Sequence, residues 1–388
     1  MYNFEFKVDT KVLFGKGQIN NFGKEVAKYT DKVLLVYGGG SIKRNGIYDS
    51  VINQLKSNNI EYFELPGIDP NPRIESVRKG VEMCKENGIG GVLAIGGGSS
   101  IDCSKVISAG ALYDGDPWDL VLDPKLIKEA LPVFTVLTLS ATGSEMNGNA
   151  VISNISTNEK LGTRGKCLIP KVSVLDPVYT FSVPKKHTAA GTADILSHTF
   201  ENYFTNVDGV YMQARMAEGI LKTCFKYGPI ACEDPENYEA RANLMWASSW
   251  AINGLLSDGA ANNWSVHPME HELSAFYDVT HGEGLAVLTP HWMRYTLNED
   301  TVDKFVEYGV NVWGIDSSKD KFEIANEAID LTQDFFTNKL GIPANLRELG
   351  IGTENFDKMA TKAVKGKSIK GFVELDADDV KKIYESAL

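Results

Sequence analysis

The sequence predicts two domains of different class. An α/β domain over residues 1–182 is built on a parallel sheet with crossover helices, and an all-helical domain covers residues 183–388. Three observations predict this. Up to about Pro184, short β-branched runs alternate with amphipathic segments, as strands joined by helices do. Beyond it, long segments at helical spacing dominate and strand-like runs almost vanish. The length, 388 residues, suits two domains that each bury a core.

In chain order, Phe4–Val8 alternates as an edge strand would. The runs Lys32–Val36, Tyr62–Leu65, Gly91–Ile95, Val133–Leu137 and Val172–Leu175 read as strands of the sheet. Gly46–Asn58 and Ile74–Asn87 read as helices between them. Asp176-Pro177 and Val183-Pro184 bracket a short connection, because proline disfavours helix at the residue before it. The helical segments that follow are Ala190–Phe204, Val210–Tyr227, Pro235–Leu255, Val302–Val312, Lys321–Lys339, Thr353–Ala363 and Asp378–Ala387. No repeat or long linker interrupts the chain, so the two domains are expected to form a cleft, where small-ligand sites usually lie.

Acids outnumber bases by 51 to 39, a formal net charge of −12. Nucleic acid is therefore not an expected partner, since a polyanion needs a basic footprint and no Lys/Arg-rich block is present. The five cysteines are scattered without a CxxC pair, which indicates neither disulfides nor a thiolate metal site. No leader-like apolar stretch follows the first residues, and apolar runs such as Leu131–Leu139 are too short for a membrane helix of ~20 residues. The expected location is the cytoplasm, where the sequons Asn154-Ile-Ser156 and Asn263-Trp-Ser265 carry no meaning.

The clearest local signal in the first half is Gly96-Gly97-Gly98-Ser99-Ser100-Ile-Asp102, where an apolar strand runs into three glycines and then a helix. Glycines let backbone approach an anion, and a helix N-terminus offers free amides to a phosphate. It matches neither GxGxxG nor a Walker loop. A second loop, Gly38-Gly39-Gly40-Ser41, repeats the texture, and two such loops at strand ends can hold one dinucleotide. No acidic residue follows that strand to take a ribose 2′-hydroxyl, whereas Ser41, Lys43 and Arg44 stand nearby. That favours NADP(H), with NAD(H) possible. A third polar stretch, from Thr138 and Ser140 through Asn147 and Asn149, suits a polar ligand or a capped helix start.

The six histidines all lie in the helical half. Asp194 and His198 are spaced i, i+4, so a helix would set both on one face, one turn apart. His267 and His271 share a face if their segment is helical, and His281 follows. Pro268 after His267 rules out the HExxH zinc-protease motif. One Asp with two or three His is a nitrogen and oxygen donor set for Fe2+, Zn2+, Co2+, Ni2+ or Mn2+.

These pieces in this order resemble the iron-containing (group III) alcohol dehydrogenases, in the branch of butanol dehydrogenases and broad-range aldehyde reductases. The resemblance spans essentially the whole chain. It runs through Val12-Leu-Phe-Gly15-Lys-Gly17, Gly67-Ile-Asp-Pro-Asn71-Pro72, Gly96 to Asp102, Ala141-Thr-Gly-Ser-Glu145, Asp176-Pro177, Gly191 to His198 and the block from His267 to His281. It implies a dehydroquinate synthase-like architecture, an α/β dinucleotide-binding domain and then an all-α metal domain. It also implies Asp194, His198, His267 and His281 as metal ligands, with His271 an extra histidine for proton relay. Gly97, Gly98 and Ser99 would hold the pyrophosphate and Asn71 would lie by the adenosine. Asp102, Thr138, Asn147, Asn149, Lys160 and Tyr179 would surround the pyrophosphate, the nicotinamide and its ribose. Asp102 with that ribose is the competing proton route. The implied ion is Fe2+, which Zn2+, Ni2+ or Co2+ can replace. The implied substrates are short-to-medium primary alcohols and aldehydes, and the implied assembly is a homodimer. Gly39 stands where many NAD-preferring relatives carry Asp, which again favours NADPH. A glycerol dehydrogenase-like polyol oxidoreductase and a dehydroquinate synthase-like lyase are the alternatives, although the lyase would need a basic pocket that the His267–His281 block lacks.

Overall fold

A computed structural model describes residues 1–260 and 264–388, so Asn263 of the second sequon lies outside the described residues. The chain divides into two compact units. One comprises Lys7–Val183 with Pro235–Asn253; the other comprises Met1–Phe6, Pro184–Asp234 and Gly254–Leu388. The division expected at 182/183 differs from this in two segments, the first six residues and the segment from Pro235.

In the first unit the strands β1 (Lys11–Phe14), β2 (Lys32–Tyr37), β3 (Glu61–Leu65), β4 (Gly91–Gly96), β5 (Val133–Leu137) and β8 (Val172–Leu175) form one sheet. Its order is β1-β8-β5-β4-β2-β3, and every pairing is parallel. All the carboxyl ends therefore lie along one edge. Strands covered on both faces read as unbroken apolar runs. Along β2 the alternation divides two cores: Val33, Leu35 and Tyr37 pack on one face with Val51 and Leu55, and Leu34 and Val36 pack on the other with Val77, Val81 and Val106. The helices of this unit are α1 (Phe22–Val26), α2 (Ser41–Arg44), α3 (Ile47–Ser57), α4 (Ile74–Asn87), α5 (Gly98–Gly110) and α6 (Pro117–Leu122).

Three features of this unit depart from expectation. The first strand is Lys11–Phe14, not Phe4–Val8; Phe4 and Phe6 are exposed, and alternation without a partner strand makes no sheet. A hairpin of β6 (Asn149–Asn154) and β7 (Glu159–Arg164) follows the third polar stretch. Helix α9 (Tyr238–Ala251) groups with the sheet, and its Met245 joins Ala94, Ile101, Leu137 and Leu175 in one core cluster. Gly143, at φ +57°, lets that helix approach: a Cβ there would stand 2.4 Å from the Ser248 carbonyl oxygen.

The second unit is built from α7 (Lys185–Tyr203), α8 (Tyr211–Glu233), α10 (Val266–Tyr277), α11 (His281–Thr296), α12 (Val302–Tyr308), α13 (Lys321–Asp334), α14 (Phe356–Ala363) and α15 (Ala377–Ser386). It is not wholly helical, since Ile369–Lys370 and Glu374–Leu375 pair as a two-stranded ribbon. Helix α7 is buried from Thr188 to Tyr203. It packs on α11 at Gly282, where a Cβ would meet the Ala190 carbonyl oxygen at 1.9 Å. No helix of the described residues is long and apolar enough to cross a membrane.

Candidate metal centre and nucleotide-binding loops

Three helices of the second unit bring one aspartate and three histidines together. Asp194 and His198 project one turn apart from α7, His267 lies in the first turn of α10, and His281 opens α11. The Nε2 atoms of His198, His267 and His281 lie 3.6, 3.9 and 3.6 Å from Asp194 Oδ1. The ligand atoms of Asp194, His267 and His281 all fall within 4.8 Å of one another. These separations are too long for hydrogen bonds. They suit donors about 2.1 Å from a shared ion, whose tetrahedral edges are about 3.4 Å.

Burial strengthens the fit. Asp194 Oδ1 and His267 Nε2, both aimed at the shared point, are buried with no hydrogen-bond partner among the described residues. Such groups are costly to bury unless something else satisfies them. Burial drives the His198 imidazole down to about 3, against the pull of Asp194, so the ring is neutral and keeps a lone pair. The rings of His198 and His267 stack at 4.7 Å, and Trp264 packs edge-on against His267 at 4.7 Å. A divalent cation fits this donor set, and the absence of thiolates suits a transition ion held by nitrogen and oxygen.

Two buried carboxylates that spacing alone did not single out complete the surroundings. Glu201, three residues beyond His198, lies 2.6 Å from His267 Nδ1. Glu270 bonds His281 Nδ1 and accepts from Ser274 Oγ. The positions of Glu201 at i+7 from Asp194 and i+3 from His198 were the available signal. His271 is half-buried one turn beyond His267, with its ring 5.7 Å from that of His281 and 6.3 Å from that of His267. The remaining histidines are elsewhere: His187 is exposed at the start of α7, and His291 bonds Ser386.

In the first unit the expected cofactor residues gather at the carboxyl edge of the sheet. Gly38, Gly39 and Ser41 follow β2, Gly97, Gly98 and Ser99 follow β4, and Thr138 and Ser140 follow β5. The Asn71 loop joins them: the Gly67 and Ile68 amides donate to the Gly38 and Tyr37 carbonyls, and Arg73 bridges Ser153 of the hairpin. Asn71 itself takes φ +51°. Lys160 is buried on β7, and Tyr179 follows β8 and packs against the core cluster that includes Val33, Leu35 and Tyr37. Lys43 bonds Glu64 at 3.4 Å, and Glu64 also accepts from Tyr37 at 2.5 Å and Tyr48 at 2.6 Å.

Asp102 is 9% exposed, and both oxygens serve the domain's interior. One accepts from Ser144 Oγ at 2.5 Å and the other from the Val151 amide at 2.9 Å. Beneath it lies Lys105, fully buried, whose ammonium donates to Ser144 Oγ (2.7 Å), Asn147 Oδ1 (3.2 Å) and the Asn149 carbonyl (2.7 Å). Burial pulls Lys105 down to about 8, opposed by Asp102 and Glu145. Asp102, Asn147 and Asn149 are thus tied to one cationic tripod.

Comparison with known proteins places both parts of the chain in one family. A family model described as iron-containing alcohol dehydrogenase matches residues 9–177, and the model of that family's C-terminal part matches residues 188–388. The NADH-dependent butanol dehydrogenase A of Clostridium acetobutylicum is 60% identical, with 100% of both chains covered. The NADPH-dependent aldehyde reductase YqhD of Escherichia coli is 39% identical over 90% of each chain. The crystal structure of NADH-dependent butanol dehydrogenase A from Thermotoga maritima has a TM-score of 0.95 at 40% identity, covering 100% of this chain and 99% of that one.

Proposed function

Because the chain belongs to the iron-containing alcohol dehydrogenase family, we propose that it interconverts short-to-medium straight-chain primary alcohols and aldehydes, of the butanol and butanal type. Alcohol/aldehyde oxidoreductase activity is the family's chemistry, and NAD(H) or NADP(H) with iron is its equipment. The observation that carries the reading is the convergence of three imidazole nitrogens on Asp194 Oδ1 in a buried site.

Asp194, His198, His267 and His281 hold the ion. When bound, the metal supplies Lewis-acid polarisation of a carbonyl oxygen and the nicotinamide supplies a hydride. The chain's own residues do the rest. The neutral His198 imidazole keeps its lone pair available as a donor. Gly97, Gly98 and Ser99 offer backbone amides to the pyrophosphate. His271 holds the proton that the product oxygen takes up, since a histidine titrates near neutrality and stands beside the ligand set. Asp102 is the weaker candidate for that task, because Ser144 and Val151 already engage both its oxygens.

NADPH is the favoured cofactor, with NADH also accepted. Gly39 places no side chain and no charge in the first loop, and the space around it is open. Lys43 and Ser41 are exposed there to meet a 2′-phosphate. Lys43 pairs with Glu64 at 3.4 Å and lies over the Tyr48 ring at 4.5 Å, but it is exposed and these contacts are screened by water, so its ammonium stays available to an anion. The protein is a cytoplasmic homodimer in this reading: β1 is an edge strand, and exposed Phe4 and Phe6 suit a second copy, which a doubled mass in light scattering tests. The polyol and lyase readings have less support, since the relatives at 39–60% identity are butanol dehydrogenases and an aldehyde reductase. Rates with straight-chain aldehydes, glycerol and either cofactor test the proposal. Butanal reduction above glycerol oxidation, and a higher kcat/KM for NADPH than for NADH, are expected. Faster glycerol oxidation overturns the substrate assignment, and an NADH preference overturns the cofactor assignment.

A further inference from the structure

We propose that Glu201 and Glu270 are positioning residues of the metal centre, each taking the Nδ1 proton of one ligand histidine and so aiming its Nε2 lone pair at the ion. The inference rests on the metal reading above. A histidine presents a lone pair at Nε2 only in the tautomer protonated at Nδ1, and an acceptor beside Nδ1 selects that tautomer.

Glu201 does this for His267, with one oxygen 2.6 Å from the ring Nδ1 and 2.8 Å from the same residue's backbone amide. Its other oxygen accepts from the Ser265 amide and, at 3.2 Å, from the Val266 amide. One buried carboxylate thus caps the first turn of α10 and orients the ligand that turn carries. Glu270, fully buried on α10, receives Nδ1 of His281 and the Ser274 hydroxyl. It thereby couples the ligand that opens α11 to the helix that carries His267. Both carboxylates sit one imidazole away from the ion. A buried anion is costly unless a positive charge compensates it, and the bound cation is a charge within that reach. His198 is built differently, since its Nδ1 has no partner among the described residues. The carboxylate backing is therefore specific to the two ligands carried by α10 and α11.

The test uses the full chain, with cobalt(II) as the probe. Glu201→Gln and Glu270→Gln keep an acceptor oxygen for Nδ1 and remove the charge; Glu270→Ala removes both. Three quantities are measured: the Co2+ dissociation constant by chelator competition, the visible spectrum of the Co2+ protein, and the thermal midpoint of the metal-free protein. Each Gln variant is expected to bind Co2+ about 10- to 100-fold more weakly. Glu270→Ala is expected to be weaker still, with an altered spectrum. The metal-free midpoint of Glu270→Gln should match the wild type. Gln variants that bind as tightly as wild type with the same spectrum overturn the inference. So does a loss of affinity matched by unfolding of metal-free Glu270→Gln. A wild-type protein that binds no Co2+ at all overturns the metal reading itself, and the positioning role with it.

Discussion

Two of the three carboxylates around the candidate metal centre do not touch the ion in this account, and the histidines divide by task in the same way. His267→Ala removes a ligand and is expected to abolish metal retention and turnover together. His271→Ala should keep the metal, measured as bound metal per chain, and change the pH–rate profile. An unchanged profile removes His271 from the proton relay. Lys105 gives a second prediction. Its ordinary value of 10.5 is pulled down to about 8 by burial. Between pH 8 and 10.5 the unfolded chain binds a proton that the folded chain lacks, so this residue's contribution to stability rises with pH, by up to about 3 kcal/mol. The thermal midpoint of wild type relative to Lys105→Met should therefore increase from pH 7.5 to 9.5. A flat difference contradicts it. Asp194 and His198 were legible because i, i+4 spacing is a statement about one helix face. Glu201 shares that face, yet a Glu in a helix is ordinarily a solvated charge, and only its burial at 1% exposure sets it apart.

Helices α7 and α11 depend on one glycine. Gly282 follows the ligand His281, and Ala190 precedes Asp194 by one turn, so their close backbone approach sets how two donors face each other. Gly282→Ala forces the helices apart, because a backbone carbonyl cannot yield as a side-chain tip can. We expect a loss of about 3 kcal/mol or more, read as a lowered thermal midpoint together with reduced metal content. A variant with wild-type metal content and midpoint contradicts this. Most elements of the sheet were legible for a physical reason: β2, β4 and β5 are covered on both faces, so they appear as continuous apolar runs. The β6–β7 hairpin was not. It begins in the polar stretch that ends at Asn149, and its second strand is mostly polar and carries a buried Lys160, so hydrophobic patterning gave no strand signal. Phe4–Val8 failed in the opposite way, with strand-like alternation but no partner strand among the described residues. At Val302–Val312 and Lys321–Lys339 the expected helices continue, but each ends in a π-helical turn, Gly309–Trp313 and Phe335–Lys339, which periodicity does not distinguish.

For the whole molecule, the order of the two halves was readable from texture, because parallel strands and helical segments carry different periods. The grouping of α9 with the sheet was not, since its sequence is helical and its partners, Ala94, Ile101, Leu137 and Leu175, are distant in the chain. The net charge of −12 fits a protein whose anionic ligand binds through backbone amides rather than a basic surface. The central claim is that one buried centre of Asp194, His198, His267 and His281 makes the protein an aldehyde reductase. The direct measurement is cofactor oxidation with butanal, followed by absorbance, on protein purified without oxygen and loaded with Fe2+. The account predicts rapid NADPH oxidation that a chelator abolishes and added Fe2+ restores. Oxidation that survives removal of the metal, or none from a fully loaded protein with either cofactor, contradicts it.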